Sequence, residues 1–90
     1  MIKSFKDKSL EKLLNGDTPS TTSQQKKIKT RLEVIDSASK VESIRLIGYD
    51  LHELKGHRKG TWAIKITGNW RITFRFENGL AYDVNYEDYH

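Results

Sequence analysis

From Trp62 to Glu87 the chain alternates apolar and polar side chains in three consecutive runs. Trp62, Ile64 and Ile66 alternate with Ala63, Lys65 and Thr67. Trp70, Ile72, Phe74 and Phe76 alternate with Arg71, Thr73, Arg75 and Glu77, and Leu80, Tyr82, Val84 and Tyr86 with Ala81, Asp83, Asn85 and Glu87. Successive side chains of a strand point to opposite faces, so each run reads as a strand with one face on a core. Asn78-Gly79 separates the last two runs. Such a pair is a strong hairpin signal, because a type I′ turn needs positive φ at both central residues. Gly68-Asn69 serves the same purpose between the first two. The expectation is an antiparallel meander whose apolar face must be covered.

The N-terminal half supplies the cover. Ile2 to Phe5 alternates and predicts a short edge strand. Leu10, Leu13 and Leu14 fall on one face of a short helix that Gly16 ends. The hydroxyl-rich stretch 17–23, with the chain's single proline, reads as a loop in which Thr22 or Ser23 caps the next helix. From Gln24 to Ala38, Ile28, Leu32, Ile35 and Ala38 form one stripe, with Lys26, Lys27, Lys29 and Arg31 around the remainder. Residues 44–47 read as a further turn or a connector. At 90 residues the chain reads as one domain spanning 1–90. The fold class is α+β, two N-terminal helices packed on one face of a twisted antiparallel sheet.

Sixteen Lys and Arg face 12 Asp and Glu, a formal charge of +4. That excess suits a polyanion such as nucleic acid, and equally suits a plain basic surface. Without cysteine, disulfide frameworks and thiolate chemistry are excluded. No run approaches the roughly 18 apolar residues of a membrane span, and the first residues carry no apolar signal segment. The expected location is the cytoplasm, with no membrane partner.

With helices on one face, the other carries Lys65, Arg71, Thr73, Arg75, Asp83, Asn85 and Glu87. One reading is a solvated face in which Arg71 or Arg75 pairs across strands with Asp83 or Glu87. Two clusters argue for more: the terminal Glu87-Asp88-Tyr89-His90, and Leu51-His52-Glu53-Leu54-Lys55-Gly56 ahead of the sheet. RNA cleavage requires a base for the 2′-hydroxyl, an acid for the 5′-oxygen and cations for the phosphoryl oxygens. Histidine, with an ordinary pKa of about 6.5, suits both proton transfers. His52, His90, Asp88 and Tyr89 are therefore candidates for proton transfer or orientation, and Lys55 and Arg71 for the charge. The histidines lack zinc-ligand spacing, no serine sits in a nucleophile elbow, and residues 55–60 match no phosphate loop. His57 reads as a polar loop residue, and Trp62, Trp70, Phe74, Phe76 and Tyr86 as packing aromatics.

Leu51-His52-Glu53-Leu54-Lys55-Gly56, Asn69-Trp70-Arg71-Ile72-Thr73-Phe74 and the terminal Asn85-Tyr86-Glu87-Asp88-Tyr89-His90 together resemble the HigB toxins of the RelE/ParE superfamily, the plasmid-maintenance killer proteins. The opening Met1-Ile2-Lys3-Ser4-Phe5 resembles them as well. The resemblance implies a RelE-like fold and a toxin that cuts mRNA in the ribosomal A site without a metal or other cofactor. It implies His52, Arg71, Asp88, Tyr89 and His90 as catalytic residues. Lys55 and Arg71 match phosphate-contacting positions, and Lys65 and Arg75 join them as basic residues of the same face. The implied partners are a HigA-like helix-turn-helix antitoxin, the 70S ribosome and mRNA, with operator DNA reached only through the antitoxin complex. Two alternatives remain open: a non-catalytic nucleic-acid-binding module, and a gyrase-targeting toxin on the same fold. The gyrase-poisoning branch lacks the catalytic set, so His52 and the terminal tripeptide argue against it.

Overall fold

The computed structural model describes residues 1–88. Helices α1 (Lys8–Asn15), α2 (Ser23–Ser37) and α3 (Val41–Arg45) precede four strands: β1 (His52–Glu53), β2 (Thr61–Thr67), β3 (Trp70–Glu77) and β4 (Leu80–Asp88). A single 3₁₀ turn, Gly56–Arg58, lies between β1 and β2. The strands form one antiparallel sheet in chain order. This is the α+β arrangement expected, with two additions: the short helix α3 and the two-residue edge strand β1.

Local chemistry sets the helix boundaries. The Asp7 carboxylate accepts from Ser9 N and opens α1, and Gly16, in the left-handed region, closes it. A capping box starts α2: the Thr22 hydroxyl accepts from Gln25 N at 3.0 Å, and the Gln25 side chain accepts from Thr22 N at 3.0 Å. Ile28, Leu32, Ile35 and Ala38 are all buried, so the α2 stripe faces the core as its spacing requires. Ile44 anchors α3 in the same core, while Leu46 and Ile47 beyond it are exposed. Phe5, Leu10, Leu13, Leu51, Ile64, Ile66, Ile72, Phe74, Ala81 and Val84 are also part of that core. In the second hairpin Asn78 and Gly79 have φ of 51° and 79°, the two positive values a type I′ turn needs.

In β4 the strict alternation fails. Asp83 has φ of 56°, and the β3–β4 register shifts between Thr73 and Arg75. The extra residue is a β-bulge, and it exchanges the faces on either side of it. Ala81 is fully buried beside Val84, whereas Leu80 and Tyr82 leave the core side, and Tyr82 lies beneath the Arg75 guanidinium, 5.3 Å from its ring centre. The expectation that Leu80 and Tyr82 share the core face of Val84 and Tyr86 is therefore corrected.

Residues 2–5 form no strand of the sheet. They run as a strap along the outer edge of β4, bridging in parallel at Ile2–Ala81 and Phe5–Val84. Lys3 N donates to Ala81 O (2.7 Å), Ala81 N to Met1 O (3.0 Å) and Val84 N to Ser4 O (3.1 Å). The strap satisfies backbone groups that an exposed edge would leave open. Trp70 departs from expectation too. It is 39% exposed and stacks on Tyr86, with ring centroids 4.7 Å apart, so it packs at the rim rather than inside the core.

Candidate functional site

The cross-strand register places the site residues in rows on the face away from the helices. One row reads His52, Ala63, Thr73, Asn85, and the next Lys65, Arg71, Glu87. This face is partly roofed. Leu54 is buried, Ala63 and Thr73 beneath the roof are 0% and 2% exposed, and Arg58 reaches from the β1–β2 connection to Glu87 on β4. Beside this roof lies an open groove of about 460 Å³. Thr61, Thr73 and Asn85 contribute to its lining from the strands, with Arg58 and Glu87 on one side and Arg75 and Asp83 on another. Lys6 from the strap and His57 from the 3₁₀ turn complete it.

Glu87 is the electrostatic anchor. The Arg58 guanidinium forks onto its carboxylate, Nη1 to Oε1 at 2.9 Å and Nη2 to Oε2 at 2.7 Å. The Thr73 hydroxyl donates to Oε2 as well. Hydrogen bonds from Arg58 first, then from Thr73 and Asn85, outweigh partial burial and hold the Glu87 carboxyl down at about 2. At the other end Arg75 Nε donates to Asp83 Oδ2 at 2.9 Å and its Nη1 to Glu77 at 3.0 Å. Of the cross-strand pairs anticipated, Arg75–Asp83 forms. Glu87 is taken by Arg58 instead of either β3 arginine.

That choice of partner determines the character of Arg71. Its Nη1 donates to Gly68 O (2.8 Å) and Trp70 O (3.1 Å), while its Nε is buried without a partner. Carbonyls orient the guanidinium but do not cancel its charge. No carboxylate among the described residues pairs with Arg71 or with its cross-strand neighbour Lys65.

His52 is half-buried in β1, with Nδ1 3.2 Å from Asp50 O. With the proton on Nδ1 that contact is a hydrogen bond, and Nε2 is then the basic nitrogen. By strand geometry the Cα atoms of His52 and Arg71, two strands and two residues apart, are separated by roughly 12 Å. Long side chains on one face span much of that gap. Lys55, exposed, enters the 3₁₀ turn. Asp88 sits opposite Trp70, and the alternation that turns Arg71 to the open face turns that pair to the other. Tyr89 and His90 lie outside the described residues. Among the described candidates the structure thus shares one face between His52, Lys65, Arg71 and Arg75, and only Arg75 of these lines the groove.

Four groove residues, Lys6, His57, Arg58 and Thr61, were missed. His57 was read as a plain loop residue, yet it lines the groove, and Arg58, its neighbour, spans the sheet. The available signal was the run of basic residues 57–59 between Gly56 and Gly60, a charged segment short enough to fold back on the sheet. Among described residues no three His, Cys, Asp or Glu side chains gather as a metal site, and no helix is long and apolar enough to cross a membrane.

A RelE-like sheet with a polar, cation-bearing face defines a class, and the family comparison agrees. The chain belongs to the HigB-like toxins, RelE-like toxins of type II toxin–antitoxin systems, whose model matches residues 3–90. Its partner class is accordingly an antitoxin. Among curated proteins it is similar to the endoribonuclease HigB of Proteus vulgaris, at 48% identity over 92 aligned positions that cover 100% of both chains.

Proposed function

We propose that this toxin is a cytoplasmic endoribonuclease that cuts mRNA on the 70S ribosome, needs no metal, and is held inactive by a HigA-like helix-turn-helix antitoxin. In this reading operator DNA is contacted only through the antitoxin complex. Full-length similarity to an endoribonuclease supports the reaction class. The observation that carries the reading onto this face is Arg71 beside Lys65, two cations without a carboxylate partner among the described residues, because Arg58 neutralises Glu87. Arg71 differs from a merely solvated cation in that two carbonyls fix its partly buried guanidinium, and a phosphodiester can supply the anion it lacks.

The chemistry follows from the groups available. A base removes the proton from the 2′-hydroxyl, whose oxygen attacks phosphorus. The bond to the 5′-oxygen breaks, and an acid returns a proton to that oxygen, leaving a 2′,3′-cyclic phosphate. His52 and His90 carry the two transfers and Tyr89 orients them, while Asp88, on the other face of β4, is assigned to positioning the terminal residues. Arg71 and Lys55 hold the charge that develops on the phosphoryl oxygens, a role worth about 10²–10³ in rate for a single donor. Lys65 and Arg75 hold the flanking backbone.

Purified protein added to translating ribosomes should give position-specific mRNA 5′ ends in the presence of a transition-metal chelator. Arg71→Ala, His52→Gln and removal of residues 88–90 should each slow cutting by about 10² or more, with melting curves near wild type. Bound but intact mRNA would favour the non-catalytic module. Toxicity with DNA breaks and uncut mRNA would favour a gyrase-directed toxin.

A further inference from the structure

The basic side chains lining the groove fall into two kinds. Arg58 is committed to Glu87, and Arg75 to Asp83 and Glu77. Lys6 and His57 line the same groove, and neither side chain has a partner among the described residues. They approach from opposite sides. Lys6 belongs to the strap on the outer edge of β4, where its N–H donates to Val84 O at 2.9 Å between buried Phe5 and the α1 cap Asp7. His57 belongs to the turn whose next residue, Arg58, is bolted to β4. Backbone position is therefore settled at both residues, although both side chains are exposed.

We propose that this groove is a second phosphate subsite, holding a non-scissile phosphate of the RNA backbone between Lys6 and His57. The inference rests on the endoribonuclease reading and extends it to residues outside the reacting set. Three properties of the groove suit an anion. Its two carboxylates, Glu87 and Asp83, are each covered by an arginine and so repel an incoming phosphate little. Thr61 and Asn85 add hydroxyl and amide groups able to hydrogen-bond phosphate or ribose oxygens. Its volume of about 460 Å³ lies within the range of small-ligand sites, large enough for a nucleotide-sized group. Glu87, Arg58 and Thr73 act here as the rigid wall that keeps Lys6 and His57 from collapsing onto a carboxylate.

The test uses a hexanucleotide RNA methylated at every 2′-oxygen, which lacks the attacking hydroxyl and cannot be cut. Binding is followed by amide chemical shifts in about 50 mM salt and then across a salt series. The expected result is saturable shifts at the amides of Thr61 and Asn85. Lys6→Ala and His57→Gln should each weaken binding several-fold, and Lys6→Ala should reduce the slope of log K against log salt by about 0.7, one contact on single-stranded RNA. Lys12→Ala, an equal charge change on α1 outside the groove, should alter affinity less than two-fold. A Lys6 variant that matches Lys12→Ala overturns the subsite, as does wild-type protein whose shifts avoid the groove or that does not bind. Cutting on translating ribosomes is measured alongside. Wild-type protein that leaves mRNA intact sinks the endoribonuclease reading, whereas cutting with an indifferent Lys6 sinks the subsite alone.

Discussion

Glu87 concentrates more chemistry than any other single residue of the sheet. It accepts from Arg58 and Thr73, and these bonds, with a smaller contribution from neighbouring Asn85, keep its carboxyl near 2 against an ordinary value of 4.5. A carboxyl whose pKa is lower in the folded than in the unfolded chain stabilises the fold fully above the unfolded value. That contribution is lost as pH falls through the folded one. For Glu87 the window runs from about 4.5 down to about 2. Glu87→Gln should cost about 1–3 kcal/mol at pH 7, the scale of losing hydrogen bonds to a charged group that is only partly buried. Urea melts of the two proteins should converge as pH drops from 4.5 toward 2. A constant gap across that range would show that the Arg58 fork contributes little to stability. Sequence patterning offers Glu87 a partner in Arg71 or Arg75 and not in Arg58. The true donor sits 29 positions earlier, in a connection whose folding onto the sheet no local pattern encodes.

At the scale of elements, the parts written in local code were legible. Gly16 ends α1, Thr22 and Gln25 box the start of α2, and Asn78-Gly79 turns the second hairpin, each by chemistry within a few residues. The β4 bulge was not legible, because counting in twos cannot see an inserted residue. The inserted residue answers to a segment 79 positions away: Asp83 N donates to the Ser4 hydroxyl at 2.9 Å. For the site, residue types and the shared face of Lys65, Arg71 and Arg75 were readable from alternation, while the roof over Ala63 and Thr73 was not. Gly79 offers an element-scale test. Its φ is 79°, and a Cβ there would stand 3.1 Å from Ser39 O, a backbone atom with little room to yield. Gly16 has a similar φ of 84° but nothing within 4 Å of the same atom. Gly16→Ala should thus cost about 1 kcal/mol from backbone strain alone, and Gly79→Ala more, about 2–3 kcal/mol, since the turn must also shift against the α2–α3 connection. Denaturant midpoints of the two variants decide it. Equal losses would mean that Ser39 moves aside freely.

Across the whole molecule, the two ends of the described chain are tied together, and that tie connects stability to the proposed RNA surface. The strap packs Phe5 into the core, closes the outer edge of β4 with backbone bonds at Ala81 and Val84, and delivers Lys6 to the groove. Ile2 N also donates to the Asp36 carboxylate of α2 at 2.8 Å, so one short segment joins the helical layer to the sheet. If the strap is a locally opening unit, Phe5→Ala should remove its main anchor and cost about 3–4 kcal/mol, the usual penalty for emptying an aromatic site in a core. That is a large share of the 5–15 kcal/mol by which small domains are stable. The amides of Ala81, Val84 and Lys6, which bond across this junction, should then exchange much faster, while those of Leu32 and Ile35 quicken only by what the global loss dictates. RNA affinity should fall toward that of Lys6→Ala, since the same opening carries the lysine away. Uniform loss of protection throughout the protein would show instead that strap and core open as one, and Lys6 would then be held in place for as long as the molecule stays folded.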